Sequence, residues 1–283
     1  MIQYAYLGRV AYDEGLRVQA EIAAMRLAGQ VDNVLLLLEH PPVLTLGRNA
    51  NRSNVLASDE LLTSRGVTLH EINRGGDVTY HGPGQLVGYP IFDLRNLHND
   101  SGSRLGPVDF VRKMEEALIR LCGEFGVRAG RIPGLTGVWC GLDGGSLAGS
   151  GAPAVGRKIG AIGIHVSRGI TSHGFAFNVT TDLRDFQLIN PCGITDRPVT
   201  TLEREVDNPA SLPTLVAVAH QAARQFGQVF REQVLAVENL DALREQAQHR
   251  GRDTLATQPE DTPLHIPPEI ERLHGTVHRP VDA

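Results

Sequence analysis

The stretch from Arg74 to Gln85, RGGDVTYHGPGQ, constrains this chain more than any other part of its sequence. Four of its twelve residues are glycine, and Arg, Thr, Tyr, His and Gln side chains lie among them. Glycines let a ligand approach backbone N–H groups closely, and the intervening side chains can orient it. No Gly-Lys-Ser/Thr follows, and the stretch opens no helix, so it is neither a Walker loop nor a dinucleotide fingerprint. A plain glycine-rich connection between strands is the alternative, but this set of side chains favours a binding site.

Helical and strand patterns follow each other irregularly along the chain. Apolar spacing and capping signals predict helices at 12–27, 58–62 (with Ser58 as N-cap), 107–125, 212–234 and 240–248. Strands are predicted at 34–38, 43–46, 67–72, 85–94, 157–167 and 174–180. Gly88 and Pro90 indicate that the strand at 85–94 lies at a sheet edge or carries a bulge. Without a regular strand–helix–strand repeat, the predicted fold class is α+β, a mixed β-sheet with flanking helices.

Charge and hydropathy exclude several classes of protein. The chain has 27 cationic and 32 anionic side chains, a net charge of −5, which argues against a nucleic-acid-binding protein. Its longest apolar run, Val34 to Leu38, is far too short to span a membrane. Met1 to Tyr4 carry no signal-peptide pattern, and three cysteines, an odd number, argue against a disulfide framework. We therefore expect a soluble enzyme located in the cytoplasm.

Two segments differ in composition from the rest. Residues 144–156, GGSLAGSGAPAVG, are rich in glycine, alanine and serine, and are expected to form a mobile insertion. From about Arg250 the chain is polar and contains prolines without an amphipathic period. We expect a single catalytic domain over 1–249 and a weakly ordered C-terminal extension over 250–283.

One cysteine and one lysine differ in context from the others of their type. Cys122 comes directly after Leu121, which lies on the apolar face of a predicted helix, and Cys140 follows a tryptophan in a short strand. Both cysteines are therefore expected to be structural. Cys192 instead lies in a turn-forming Asn-Pro-Cys-Gly sequence, where a free thiol is a candidate nucleophile. Only two of the 27 cationic residues are lysine, and lysine, unlike arginine, can lose its proton near neutral pH. Lys158 opens a strand and is the candidate partner of the thiol, whereas Lys113 lies on a helix as a solvated charge.

The eleven histidines yield one candidate for substrate binding. His165 and His173 flank a turn, but the sequence offers no carboxylate or cysteine that completes a metal site with them. His81 lies inside the glycine-rich stretch and is the histidine that we expect to contact substrate.

Four motifs, taken together and in order, resemble one known family. They are Arg74-Gly-Gly-x-x-Thr-Tyr-His-Gly-Pro-Gly-Gln85, Gly156-Arg-Lys158-Ile-x-x-Ile-Gly163, His173-Gly-Phe-Ala-Phe-Asn178 and Pro191-Cys192-Gly193. Their order and spacing are similar to those of the lipoate-biosynthesis octanoyltransferases, the octanoyl-[acyl-carrier-protein]:protein N-octanoyltransferases. The resemblance covers roughly residues 5 to 235. The glycine-rich insertion and the C-terminal extension depart from the family pattern.

The resemblance implies a mechanism and a set of site residues. In that family a cysteine takes octanoate from acyl carrier protein as a thioester and passes it to a lysine of an apo lipoyl domain. The matching residues are Cys192 as nucleophile and Lys158, which would tune the thiol and act as acid and base. The implied substrate contacts are Arg74, Gly75, Gly76, Asp77, Val78, Thr79, Tyr80 and His81, then Ala161, Ile162 and Gly163, then Gly174, Phe175 and Ala176.

The resemblance also implies a fold and a set of partners. The expected fold is the catalytic domain of biotin and lipoate protein ligases, and no cofactor is expected, neither ATP nor a metal ion. The expected partners are octanoyl-acyl carrier protein as donor, and as acceptors the apo lipoyl domains of 2-oxoacid dehydrogenase E2 subunits and the glycine cleavage H protein. Neither nucleic acid nor membrane is expected as a partner. Because both protein partners are commonly acidic, docking would use a local arginine patch, for which Arg48, Arg52 and Arg65 are candidates.

Three other functions are compatible with parts of the sequence. An ATP-dependent lipoate or biotin ligase would need an adenylate site and no nucleophilic cysteine. A cysteine hydrolase would pair Cys192 with His81 and release the free acid to water. An inactive acyl-binding module would need neither Cys192 nor Lys158.

Overall fold

The computed structural model describes residues 1–99, 101–142, 156–190 and 197–256 of the chain. Its strands are β1 (Ile2–Arg9), β2 (Asn33–Glu39), β3 (Val43–Leu46), β4 (Thr68–Glu71), β5 (Val78–His81), β6 (Gln85–Ile91), β7 (Ala129–Ile132), β8 (Leu135–Cys140), β9 (Arg157–Ser167), β10 (Ile170–Asn178) and β11 (Val234–Ala236). Its helices are α1 (Tyr12–Leu27), α2 (Asp59–Ser64), α3 (Pro107–Glu124), α4 (Leu202–Glu205), α5 (Leu215–Phe230) and α6 (Leu240–Ala256). Within these described ranges, no helix is both long and apolar enough to cross a bilayer.

The strands form two sheets. The larger has the order β11-β1-β2-β6-β10-β9-β8-β7, and the smaller has the order β4-β3-β5. In the larger sheet β1 is parallel to both β2 and β11, whereas the other pairs are antiparallel. In the smaller sheet β3 is parallel to β4 and antiparallel to β5. The predicted α+β class with a mixed sheet is confirmed.

The larger sheet is covered by helices on both faces, which explains the unbroken apolar run in β2. Leu35 and Leu37 join a core with α3 and α5. The alternate residues Val34, Leu36 and Leu38 join a second core with α1 and α6. Successive side chains of a strand point to opposite faces, so a central strand buried on both faces reads as a continuous apolar segment.

Strand β6 differs from its prediction. It lies between β2 and β10 in the interior of the sheet, so the expectation of an edge strand is wrong. The alternative expectation, a bulge, is not met either, because the pairs of β6 with β2 and with β10 follow each other without a register shift, and the ladder to β10 ends at Gly88–Phe175. Beyond that pair, the Thr171 hydroxyl donates to the Pro90 carbonyl at 2.6 Å and accepts from the Phe92 N–H at 2.8 Å. The proline is tolerated because side-chain hydrogen bonds replace the ladder beside it.

Helix α6 and strand β1 also differ from the sequence reading. The helix predicted to end at Gln248 continues to Ala256, and its Arg244 is ion-paired with Glu21 of α1 at 2.7 Å. Strands β1, β5, β7 and β11 were not predicted. β1 is eight residues long and pairs with both β2 and β11.

The two predicted structural cysteines are buried, as expected. Cys122 of α3 and Cys140 of β8 are both free thiols without solvent exposure. A hydrogen bond with Cys140, together with burial, raises the pKa of the Cys122 thiol, so it is not a nucleophile at neutral pH. Lys113 was predicted to be a solvated charge, but it is only partly exposed. Its Nζ donates to the Val229 carbonyl at 3.3 Å and lies 5.8 Å from the Phe230 ring centroid.

Candidate active site

The glycine-rich stretch forms a tight turn followed by a buried strand. Residues 74–77 make the turn, in which Gly76 has a φ of +89°, and β5 then pairs with β3. Backbone N–H groups hold the turn in place, since Arg48 donates to the Arg74 carbonyl at 3.0 Å. A Cβ at Gly47 would lie only 2.3 Å from the Gly76 carbonyl oxygen. The glycines are therefore required by the close packing of two backbones as well as by access to the site.

A cavity of about 320 Å³ lies between the smaller sheet and strands β9 and β10 of the larger sheet. This volume is at the lower end of the range of about 300–1,000 Å³ that is typical of ligand pockets. Its walls are both polar and apolar. The lining residues are Tyr12, Arg74, Gly76, Asp77, Val78, Thr79, His81, Tyr89, Gly134, Leu135, Thr136, Lys158, Ala161, Ile162, Gly163, His173, Gly174 and Phe175.

The structure brings most of the predicted site residues to this one cavity. The three stretches, which are far apart in the sequence, meet because β5 faces β9 and β10, and because Gly163 and Gly174 are paired in the same ladder. Gly75, Tyr80 and Ala176 are the predicted contacts that do not line it. Ala176 lines a second cavity of about 20 Å³ beside Lys158.

Tyr80 and Gly75 have other contacts. Side chains alternate along β5, so Tyr80 points away from the cavity, where its hydroxyl donates to Asp185 at 2.8 Å. Its ring packs edge-on against Phe186, with centroids 5.4 Å apart, in the core of the smaller sheet. Gly75 donates its N–H to the Ile164 carbonyl at 2.9 Å and so joins the turn to β9.

Lys158 lies on β9 at the cavity wall. It is paired across the ladder with Trp139 of β8, and its Nζ lies 4.7 Å from the centroid of the tryptophan ring. Its backbone is bonded on the other side to the segment that follows residue 196. The Lys158 N–H donates to the Pro198 carbonyl and the Thr200 N–H donates to the Lys158 carbonyl, each at 2.9 Å.

Cys192 lies outside the described residues, as do residues 144–155 of the insertion and 257–283 of the C-terminal extension. The described residues on either side of positions 191–196 are both held close to the cavity elements. Before them, the Asn190 N–H donates to the Asn54 carbonyl at 2.7 Å, and Asn54 Nδ2 donates to Asp77 of the glycine-rich stretch. After them, Val199 forms a parallel bridge with Lys158.

Arg74 is a buried cation in the cavity wall. Its Nη2 donates to the Thr45 carbonyl at 2.7 Å and to the Thr45 hydroxyl at 2.9 Å, and its Nη1 donates to the Gly75 carbonyl at 3.0 Å. These bonds fix the guanidinium against β3, so its position does not depend on a ligand. A fixed positive charge in a partly apolar pocket attracts a polarised carbonyl or an anionic group.

His81 is neutral and its tautomer follows from its neighbours. Gln85 Nε2 donates to the Tyr80 carbonyl at 3.1 Å and to Asn178 Oδ1 at 2.9 Å, so Gln85 Oε1 is an acceptor. His81 Nδ1, 2.8 Å from that oxygen, must then carry the proton, which leaves Nε2 as an acceptor. Burial, with a smaller contribution from His40, lowers the pKa of His81 to about 3. His81 can thus accept a hydrogen bond in the site.

His173 is held by hydrogen bonds to two neighbouring side chains. Its Nε2 lies 2.8 Å from Asn73 Oδ1, its N–H donates to Gln19 Oε1 at 2.7 Å, and its φ is +56°. Among the residues that the structure describes, no three His, Cys, Asp or Glu side chains are grouped as a metal ion would require.

Several lining residues were not predicted from the sequence. The cavity is also lined by Tyr12, Tyr89, His173 and residues 134–136. Tyr89 is a polar aromatic residue in an otherwise apolar strand, and Gly134 and Gly137 bracket Leu135 and Thr136, so both carried a weak signal. Tyr12 begins a helix with no local sign of a site, and only the packing of α1 brings it there.

Comparison with known proteins is consistent with this geometry. Residues 11–224 match the family described as the lipoyl protein ligase A/B catalytic domain. The chain is 60% identical over 241 residues to an octanoyltransferase of Acidobacterium capsulatum, covering 84% of this chain and 94% of that protein. It is 47% identical over 274 residues to an octanoyltransferase of Koribacter versatilis, covering 97% of each.

Solved structures share the fold at low sequence identity. A lipoate-protein ligase A bound with ATP superimposes with a TM-score of 0.63 at 16% identity, covering 88% of this chain and 94% of that chain. The bi-partite lipoate protein ligase of Thermoplasma acidophilum gives a TM-score of 0.62 at 15% identity, covering 93% of this chain and 100% of that chain. These likenesses confirm the expected ligase-like fold.

Proposed function

The chain belongs to the family of lipoyl protein ligase A/B catalytic domains and is an octanoyltransferase, and we propose that it moves the octanoyl group in two steps, with Cys192 as nucleophile and Lys158 as acid and base. Octanoyl transfer in protein lipoylation, an acyltransferase reaction, follows from the identity of 47 to 60% to octanoyltransferases. Lipoyl-domain proteins are accordingly its acceptor class. The roles of the individual residues are the proposal.

In the first step the Cys192 thiolate attacks the octanoyl thioester carbonyl. The new carbon–sulfur bond forms on Cys192, the bond to the donor's sulfur breaks, and the departing thiolate takes a proton from the Lys158 ammonium. Exchange of one thioester for another is close to thermoneutral, so a thiolate and a stabilised oxyanion are sufficient. Arg74, fixed in the cavity wall, is the cation available to the developing oxyanion.

In the second step the acceptor lysine of the lipoyl domain attacks the Cys192 thioester. Lys158, neutral after the first step, accepts the proton that the attacking amine loses, and the Cys192 thiolate leaves. Replacing a thioester by an amide lowers the free energy, so this step needs no ATP. The observation that supports this mechanism is that Lys158 lies on the cavity wall and is bonded through its backbone to residues 198 and 200, close in sequence to Cys192.

The apolar part of the cavity suits a medium-length acyl chain. Leu135, Ile162 and Phe175 line it. Burying the seven methyl and methylene carbons of an octanoyl chain at about 0.8 kcal/mol each is worth roughly 5 kcal/mol before ordering costs. One methylene more or less changes this only slightly, so neighbouring chain lengths should be partly accepted.

The partners and conditions complete the proposal. We propose octanoyl-acyl carrier protein as donor, the lipoyl domains of 2-oxoacid dehydrogenase E2 subunits and the glycine cleavage H protein as acceptors, no ATP or metal requirement, and a cytoplasmic location.

The suggested docking patch of Arg48, Arg52 and Arg65 has less uncompensated positive charge than its composition indicates. Arg52 is paired with Asp59 at 2.8 Å and Arg65 with Asp185 at 3.1 Å.

Intact-protein mass spectrometry tests the two steps directly. The wild-type chain mixed with octanoyl-acyl carrier protein, without ATP, should gain one octanoyl group and lose it to an added lipoyl domain. Cys192→Ser should gain none, whereas the matched control Cys140→Ala, which removes a buried thiol, should behave as wild type. Lys158→Arg keeps the charge but cannot accept a proton, and should lose most of the transfer.

The alternatives give different results in the same assay. Transfer that appears only with octanoate and ATP would identify a ligase, and octanoate released without an acceptor would identify a hydrolase. Wild-type turnover by Lys158→Arg would overturn the role of Lys158.

A further inference from the structure

Trp139 is the aromatic residue against which Lys158 lies. It is the one tryptophan in the 283-residue sequence, it is 1% exposed, and it lies on β8 in register with Lys158 of β9. The distance of 4.7 Å from the Lys158 Nζ to the ring centroid is within the limit of about 6 Å for a cation–π contact. The indole is therefore the surface on which the ammonium rests.

We propose that Trp139 is a positioning residue that holds the Lys158 ammonium at the cavity. The proposal deepens the function proposed above and depends on it for its catalytic meaning. A lysine side chain has four rotatable bonds, so an unsupported ammonium would sample many positions relative to a reacting thiol. Contact with one face of a buried ring restricts that sampling before the substrate arrives.

A glycine on the same strand leaves room for the stem of this lysine. Gly137 of β8 has a φ of +127°, and a Cβ there would lie 3.3 Å from Lys158 Cε and 2.6 Å from the Gly160 carbonyl oxygen. The absence of a side chain at this position lets the lysine stem pass close to the backbone of β8. The Gly137 N–H is anchored by the buried Glu115 of α3 at 3.0 Å. One strand, β8, thus supplies both the room for the stem at Gly137 and the aromatic face under the ammonium at Trp139.

The charges around Lys158 explain why a π surface is useful there. Among the described residues, the charged and titratable groups of the cavity wall and the packed elements include Arg74, Asp77 and His81 in the cavity, Arg197 over the same tryptophan ring, Arg157 with its partner Glu205, and Glu115 with its partners Arg112 and Arg131. The Arg197 guanidinium carbon lies 5.9 Å from the same tryptophan ring. Arg74 and Arg197 both disfavour a further cation nearby, and the negative face of the indole offsets part of that repulsion.

Substitution of Trp139 should change turnover more than substrate binding. Trp139→Leu removes the π face, and we expect kcat for octanoyl transfer to fall at least tenfold while KM for octanoyl-acyl carrier protein changes less than about threefold. The half-maximal point of the pH–rate profile that reports Lys158 should shift to lower pH by about half a unit to one unit. Trp139→Phe retains an aromatic face and should recover most of kcat and of the pH profile. A wild-type kcat and pH profile in Trp139→Leu would overturn the proposal.

Tryptophan fluorescence tests the contact without changing Trp139. Because the chain has one tryptophan, its emission reports the surroundings of that ring alone. The experiment uses a Cys192→Ser background, so that the thiol of Cys192 does not titrate. When position 158 is the native lysine, the tryptophan emission should show a pH-dependent transition. The transition should be absent with Lys158→Met and with Lys158→Arg. Identical pH curves in all three would overturn the contact even if Trp139→Leu does not fold.

Failure of this inference can be told apart from failure of the proposed function. If Lys158→Met transfers octanoate as fast as wild type, the proposed role of Lys158 in catalysis is wrong, whatever the fluorescence shows. If Lys158→Met is inactive while the fluorescence transition is insensitive to it and Trp139→Leu is fully active, the role of Trp139 is wrong and that of Lys158 stands.

Discussion

Three buried histidines at or beside the cavity are held neutral by their individual environments. Burial is the largest cause of the pKa shift in each ring. It lowers the pKa of His40 and His173 to about 4 and that of His81 to about 3. His40 also has a defined tautomer, since Nδ1 donates to the Val10 carbonyl at 2.7 Å and Nε2 accepts from the Tyr89 hydroxyl at 2.6 Å. Near neutral pH these rings add no charge that would repel Lys158 or Arg74.

Acidification is therefore expected to destabilise the folded chain. The unfolded chain takes up protons at these histidines near pH 6.5, whereas the folded chain takes them up only near pH 3 to 4. The free energy of unfolding thus falls as the pH drops below about 6.5. At pH 5, about 1.5 units below the unfolded value, each histidine contributes a loss of up to about 2 kcal/mol. Urea unfolding at pH 7, 6 and 5 measures this.

Single substitutions assign the effect to the buried rings. His81→Gln should make the fall between pH 7 and pH 5 shallower, because one group no longer takes up a proton on unfolding. His98→Gln, at an exposed position, should leave the slope unchanged. Equal free energies of unfolding at pH 7 and pH 5 in the wild type would contradict the expectation.

At the scale of elements, Glu115 joins helix α3 to strands β7 and β8. Its carboxylate has no solvent exposure, and it accepts hydrogen bonds from Arg112 at 2.6 Å, from Arg131 at 3.0 Å and from the Gly137 N–H at 3.0 Å. The charge is satisfied by two cations and a backbone donor, which is what a buried carboxylate requires. The bond to Gly137 fixes the first residues of β8, and with them Leu135 and Thr136, which line the cavity.

Glu115→Ala is expected to be strongly destabilising. It removes the acceptor of the Gly137 N–H and leaves Arg112 and Arg131 without their shared buried partner, so the free energy of unfolding should fall by about 3 kcal/mol. Glu116→Ala, its half-exposed neighbour on the same helix, should cost less than about 1 kcal/mol. Urea unfolding of both variants decides the matter, and equal losses would mean that burial of the carboxylate is not what matters.

At the scale of the whole molecule, the cavity exists because the two sheets approach through glycine. Gly75 of the smaller sheet's turn donates to Ile164 of β9 at 2.9 Å, and a Cβ at Gly163 would lie 2.6 Å from the Gly75 carbonyl oxygen. Any side chain at 163 would separate the sheets where the cavity walls meet.

Gly163→Ala should accordingly impair binding and stability together. We expect the catalytic efficiency kcat/KM to fall at least tenfold, and the free energy of unfolding to fall by about 1–3 kcal/mol, because the added methyl group forces the backbones apart. Gly123→Ala in α3 is the matched control, because a Cβ there meets nothing within 4 Å. It should leave the kinetics unchanged and raise stability by up to about 1 kcal/mol through helix propensity. Similar kinetics for the two variants would contradict the argument.

Local patterns predicted the strongly periodic parts of this structure. The predicted helix at 12–27 and strand at 43–46 coincide with α1 and β3, and Ser58 caps α2 by accepting from the Leu61 N–H at 3.3 Å. Strand β5 was not predicted, because its sequence VTYH carries polar side chains and lies between glycines, whereas the equally short β3 is the mostly apolar VLTL. Pro90 gave a wrong position for β6, because the hydrogen bonds of Thr171 that accommodate it come from another strand.

Residue types and their spacing are enough to identify the chemical groups available to this protein: a cysteine in a turn-forming sequence, one of two lysines, a glycine-rich stretch that begins with arginine, and apolar periods sufficient for an α+β fold. All of these are local properties. Which residues share the cavity depends instead on how the chain packs. This packing directed Tyr80 away from the cavity and placed Tyr12 and Tyr89 in its wall. It also set Trp139 beneath Lys158. Such contacts depend on strand register and sheet-to-sheet distance, which arise from packing across the whole chain.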